Sequence, residues 1–247
     1  MKQFFIFFVF VTLFSGCKNE LTFSEKIYEK KTSSPCKQTC PEVVVKIPFA
    51  ENLPIVADSI NKKIFSVVRE IVYFGEKQSL MTDYDGVLNA FIKSYEELQK
   101  DNPNDVFGWE AKIDGNVKYQ TDSILNIQLK HYSFTGGAHG YQGIRSLIFN
   151  PNNGKIIKNE NLFTDEKAFK SYVEKQFRLK FKIPENESIN ATGFMFEDEK
   201  FQLPMNYFFV ENGLLLYYNT YECASYAQGS IELLFTFEEL KPYLRIK

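Results

Sequence analysis

Two short segments hold most of the side chains suited to chemistry. Thr135-Gly136-Gly137-Ala138-His139-Gly140 is glycine-rich and is followed by Tyr141 and Gly143. Glycine admits positive φ, and successive backbone N–H groups in such a loop can cradle an anion. No Gly-Lys-Ser/Thr ending follows, so this is not a nucleotide-binding loop. Farther along, Tyr217, Tyr221 and Tyr226 surround Glu222. Tyrosine pairs an apolar ring with a hydrogen-bonding tip, which suits stacking on sugars or anchoring a protein partner. A half-buried Glu222 with a raised pKa can act as a general acid on a glycan. That reaction needs a second carboxylate, which spacing does not identify.

Other chemistries find little support. The chain has 2 His, 4 Cys and a formal net charge of -2, with 29 basic against 31 acidic residues. No positive excess is present to neutralise a phosphate backbone, so no nucleic-acid partner is expected. His131 lies on a strand face shared with Leu125, Ile127 and Leu129 and reads as a satisfied core histidine. Cys36, Cys40 and Cys223 match no zinc spacing, and no metal or cofactor is expected. A Cys36–Cys40 disulfide is the favoured pairing, with a bridge from this region to Cys223 second. Asp83-Tyr84-Asp85-Gly86 lacks the later ligands of a calcium loop and reads as a helix cap at Asp85. No Gly-x-Ser-x-Gly elbow occurs.

The first residues are an address. Lys2 precedes an apolar run from Phe4 to Phe14 broken only by Thr12, too short for a permanent membrane span. Leu13-Phe14-Ser15-Gly16-Cys17 resembles a bacterial lipobox. The resemblance implies cleavage before Cys17 and lipidation of that residue, an anchor worth about 0.8 kcal/mol per buried CH₂. Cleavage removes one lysine and no acid, taking the charge from -2 to -3. Residues 1–17 are thus the signal and lipidated cysteine, and 18–40 a polar tether.

The elements that must position the two segments follow. Val43, Val44, Val45 and Ile47 make a first strand. Pro54 opens a helix with Ile60, Ile64, Val68, Ile71 and Val72 on one face, ended by Gly75. A second helix runs from Tyr84 to Lys100. The period then falls to two: Trp109, Ala111 and Ile113 alternate, Asp114-Gly115 signals a hairpin turn, and Val117 and Tyr119 return. Strands follow at 124–134 and 141–149. Thr164 caps a third helix carrying Phe169, Val173 and Phe177. Residues 206–210 and 214–219 flank an Asn212-Gly213 turn, 231–237 is the last strand, and a short helix ends the chain. Residues 184–202 read as a surface excursion. The class is α+β: an antiparallel sheet of several hairpins with about three packed helices. An N-terminal α+β part (41–150) and a C-terminal one (151–247) pack as one unit.

Tyr132-Ser133-Phe134-Thr135-Gly136-Gly137-Ala138-His139 resembles the Tyr-x-x-Thr-Gly-Gly-Ala-His signature of an envelope domain pair. That pair occurs in the extracellular part of RsiV-type anti-sigma factors and the N-terminal region of PdaC-type peptidoglycan deacetylases. Phe209–Leu214, Tyr217–Glu222 and Tyr226-Ala227-x-Gly229 resemble its closing motif, with Thr220 and Cys223 as departures. The resemblance covers about residues 41–244 and implies an envelope binding module, since the best-understood relative senses lysozyme by binding it. Sigma-factor control and deacetylation do not carry over, because the corresponding segments are not expected here. The expectation is a non-enzymatic, lipid-anchored, periplasmic or outer-membrane-facing lipoprotein. Its ligand would be a peptidoglycan fragment or a lysozyme-type protein. Contacts are expected from Gly136, Gly137, His139, Tyr141, Tyr217, Tyr221, Glu222 and Tyr226. A glycan hydrolase working through Glu222, or a purely structural lipoprotein, are the alternatives.

Cys17→Ser is expected to leave unprocessed or soluble protein. Membrane fractionation checks this, and a variant that still fractionates as mature membrane protein would refute the lipid anchor.

Overall fold

A computed structural model describes residues 20–36, 39–73, 81–102 and 107–245. The signal segment, Cys17 and Gly75 lie outside these. The α+β class holds, with two sheets. The larger has strand order β1-β2-β3-β4-β5, formed by β1 (Thr22–Lys31), β2 (Glu42–Glu51), β3 (Glu110–Gln120), β4 (Leu125–Phe134) and β5 (Tyr141–Phe149). The smaller has order β6-β7-β8, from β6 (Asn206–Val210), β7 (Gly213–Tyr218) and β8 (Ile231–Thr236). The helices are α1 (Pro54–Val72), α2 (Tyr84–Asp101), α3 (Glu166–Phe181) and the short α4 (Phe237–Leu240).

Helices α1 and α2 lie in sequence between β2 and β3, and those two strands pair in parallel. A parallel neighbour cannot be reached by a hairpin, so the helices form the crossover. Val56, Ile60, Ile64, Val67 and Val68 of α1 and Val87, Leu88, Phe91 and Ile92 of α2 bury against the sheet in one core. Asp83, not Asp85, caps α2, accepting from Gly86 N at 2.7 Å, because it is the extended residue just before the helix. Asp165 likewise caps α3 in place of Thr164, whose hydroxyl donates to Tyr243 O. A second core forms between α3 and the small sheet.

Three further expectations are corrected. Asp114-Gly115 is not a turn: both lie inside β3, which runs unbroken. Glycine answers a close approach there, since a Cβ on Gly115 would meet Leu129 Cδ2 at 2.6 Å and Pro48 Cδ at 3.0 Å. The segment expected as tether contains β1, paired antiparallel with β2 along its length. Its charged residues mark an exposed sheet edge. Tyr28 stacks on Tyr84 at 4.2 Å, and Lys26 Nζ lies 3.4 Å above the Phe49 ring centroid. Residues 184–202 lack regular strands, yet Ile189, Phe194, Phe196 and Phe201 are buried in the second core. Phe177 touches the rings of Phe194, Phe196 and Phe201. The segment is therefore a core-forming loop.

Asparagine side chains join the two sheets. Strand β5 is the last strand of the large sheet and would otherwise present unpaired backbone groups. Asn219 accepts from Ile144 N at 2.7 Å and donates to Ile144 O at 3.0 Å, taking the place of a neighbouring strand. Asn206 Oδ1 accepts from Ser146 N at 3.0 Å. Asn126, fully buried in β4, accepts from Phe209 N at 2.9 Å and donates to Ser146 Oγ at 2.9 Å. Asn126→Ala should cost about 1–3 kcal/mol, because it strands the buried Phe209 N–H. Urea denaturation measures the loss, and an unchanged midpoint would show that the joint does not depend on this amide.

Candidate functional site

The Gly-Gly-Ala-His loop joins β4 to β5 at one end of the large sheet. Gly136 and Gly137 have φ of 104° and 93°, and a Cβ on either would meet nothing within 4 Å. The need for glycine is thus conformational, not steric. The loop carries His139 outward, where its ring stacks on Tyr226 at 4.5 Å and 19°. Tyr226 in turn lies 5.6 Å from Tyr221 at 33°. His139, Tyr226 and Tyr221 therefore form one exposed strip of rings, with Tyr221 51% and Tyr226 45% exposed. Tyr141, the first residue of β5, is exposed and packs its ring 5.7 Å from His131.

Local chain geometry presents these rings. Asn219–Glu222 is a turn closed by Glu222 N to Asn219 O at 3.0 Å. Tyr221 occupies its third position with φ of 69°, a place that turns of this kind give to glycine. Tyr226 opens a single 3₁₀ turn whose Gln228 side chain bonds back to Ser225 N at 3.2 Å.

Glu222 points inward. Its Oε1 accepts from Met205 N at 2.6 Å and its Oε2 from Asn219 N at 2.8 Å. Burial raises its pKa, opposed by those two N–H groups and by Arg145. Both oxygens are engaged in holding the turn, so Glu222 supports the ring strip from beneath. Cys36 and Cys40 form a disulfide, and Cys223 is free and buried. Burial, with Glu222 nearby, pushes the Cys223 thiol up to about 12. Among the described residues no group of three or more His, Cys, Asp or Glu is placed to hold a metal ion.

A cavity of about 390 Å³ adjoins the strip. Tyr217, Thr220, Gly229 and Ser230 line it from the small-sheet side, and His131 and Gly143 from the large sheet. Sequence reasoning placed His131 in the core as a satisfied residue. It is buried, but its Nδ1 has no hydrogen-bond partner. Burial, with Arg145 secondary, lowers its pKa to about 4. Asn219, Thr220 and Gly143 were missed as site residues; a glycine inside a strand was the one available signal. A larger, apolar cavity of about 590 Å³ lies among Tyr119, Ile124, Phe209, Phe237 and Leu244, where β3 ends and β4 begins, and holds none of the expected site residues.

These features define an α+β protein of two sheets joined by buried amides, with a strip of exposed aromatic rings at one end. Residues 34–142 match the family model described as deacetylase PdaC, and residues 160–238 match that of a protein of unknown function, DUF3298. The chain therefore carries a PdaC-model region followed by a DUF3298-model region. A DUF3298-family crystal structure from Bacteroides fragilis is 19% identical with a TM-score of 0.65, covering 92% of this chain and 95% of that one. A DUF3298-family structure from Pseudomonas aeruginosa is 21% identical with a TM-score of 0.60, covering 91% and 94%. These structures share the fold. No curated protein matches significantly.

The His131 environment gives a pH signature. The folded chain holds the ring neutral down to about pH 4, whereas the unfolded chain protonates it near 6.5. Its contribution to stability is full above pH 6.5 and is lost as pH falls toward 4. Between pH 7 and 4 the protein should lose about 2–3 kcal/mol more than His131→Phe, which cannot titrate. Urea melts at the two pH values test this, and equal losses would refute it.

Proposed function

We propose that this protein is a non-enzymatic, lipid-anchored lipoprotein of the bacterial cell envelope that binds a cell-wall glycan on its His139–Tyr226–Tyr221 ring strip. The observation that carries this reading is Tyr221. A left-handed backbone costs a non-glycine residue about 1–2 kcal/mol, and here the cost is not offset by burying the ring, which stays half exposed. Strain held at an exposed aromatic ring favours a contact role over a packing role. The rings stack and tilt against one another, and the outer face and exposed edges they leave to solvent suit the apolar face of a sugar. The inward-facing carboxylate of Glu222, bonded through both oxygens, argues against the hydrolase reading.

The placement of the chain's start supports an anchored role. Leu21 O accepts from Gln120 Nε2 at 3.3 Å, so residue 21 enters at the end of the sheet opposite the ring strip. The ten residues of β4 set these ends about 30 Å apart. Cys17 lies four residues before Leu21, within about 14 Å of chain. A lipid there holds one end at the membrane and presents the other to the cell wall. The match of residues 34–142 to the deacetylase PdaC model supports the same location.

Purified full-length protein should be retained on peptidoglycan sacculi. Tyr226→Ala should weaken capture about two- to tenfold, the worth of one ring contact. Tyr221→Gly should weaken it similarly while leaving the melting temperature unchanged or higher, because glycine relieves the backbone strain. Capture unaffected by both variants would sink the assignment. Retention by immobilised lysozyme and not by sacculi would move the partner to a lysozyme-type protein.

A further inference from the structure

We infer that the cavity beside the ring strip is a subsite for the acetamido group of an N-acetylated amino sugar, with the Nε2–H of His131 as its hydrogen-bond donor. This deepens the glycan reading above and rests on it. His131 is 8% exposed, and its Nδ1 is sealed from solvent with no partner. Nε2 also makes no hydrogen bond among the described residues. It faces Gly143, the residue paired with His131 across β4 and β5. A Cβ at Gly143 would sit 2.8 Å from Nε2 and 3.0 Å from Cε1. Glycine is thus the residue that leaves this nitrogen uncovered on the cavity side.

The neutral ring carries one N–H. On Nδ1 that proton would be a buried donor with no acceptor, which proteins avoid. On Nε2 it is a donor offered to the cavity. A neutral donor can serve a neutral acceptor such as an amide carbonyl, and the exposed Lys130 and Gln142 complete the polar rim of the cavity. Thr220 and Ser230 line the same cavity and bring hydroxyls that can accept the amide N–H, while Ile144 and the Tyr217 ring offer apolar surface to a methyl. About 390 Å³ has room for the acetamido group together with part of the sugar ring that bears it. Thr220 directly precedes Tyr221, and Gly229 follows the turn that holds Tyr226. The cavity therefore opens beside the rings that would hold the sugar.

The test compares two β-1,4-linked tetramers that differ at this group: N-acetylglucosamine tetramer and the glucose tetramer. Isothermal titration of the full chain in detergent should give about tenfold tighter binding of the acetylated ligand. Gly143→Ala and His131→Phe should each bring that ratio close to one, and Tyr226→Ala should weaken both ligands while preserving the ratio. His131→Phe keeps an aromatic ring at this position and leaves Gly143 in place, and it carries the test if Gly143→Ala does not fold. Equal binding of the two tetramers, or a ratio unchanged in His131→Phe, would overturn the subsite and leave the ring platform standing. Binding of neither would overturn both.

Discussion

The open edge of β5 is the constraint on which the rest of this molecule depends. A sheet edge carries backbone donors and acceptors that must be paired, covered or solvated. Here Asn219 and Asn206 meet Ile144 and Ser146 in place of a sixth strand. The amide of Asn219 reproduces the donor–acceptor pair of a backbone residue. The same device recurs at Asn61 on Ala50 and at Asn190 on Phe196. A carboxylate could accept but not donate, and a serine could not span both groups, so the amide is specifically suited to the task.

This joint also builds the site. Asn219 is at once the latch on β5 and the first residue of the turn that holds Tyr221, and Glu222 closes that turn from below. The ring strip draws His139 from the large sheet and Tyr221 and Tyr226 from the segment after β7, so it exists only when the sheets are docked. The cavity has the same double origin. Opening the joint would therefore separate the rings of the strip from one another.

The polarity of the large sheet gives the arrangement its direction. The strip lies where β4 ends and β5 begins, and the chain enters beside Gln120, where β3 ends. Long strands act as a rigid spacer between these ends. The aromatic surplus divides between two tasks. Phe177 and its neighbours, with Tyr207 and Tyr218, fill the second core, while Tyr221, Tyr226 and His139 take exposed positions where a polar tip stays wet.

Local sequence determined the helices and most of the strands, because periodicity and caps are properties of neighbouring residues. The faces of α1, α2 and α3, the β6–β7 hairpin and the glycine loop before His139 were all legible in this way. Asp114-Gly115 misled because a turn signal and a close-packing glycine look alike until Pro48 and Leu129 are brought against it. Strand β1 was hidden because an edge strand exposes charge as a tether does. The grouping of His139 with Tyr221 and Tyr226, the inward turn of Glu222 and the uncovered Nε2 of His131 were decided by tertiary structure alone. Each depends on which residues from distant segments share an edge, and docking across β5, not local preference, sets that.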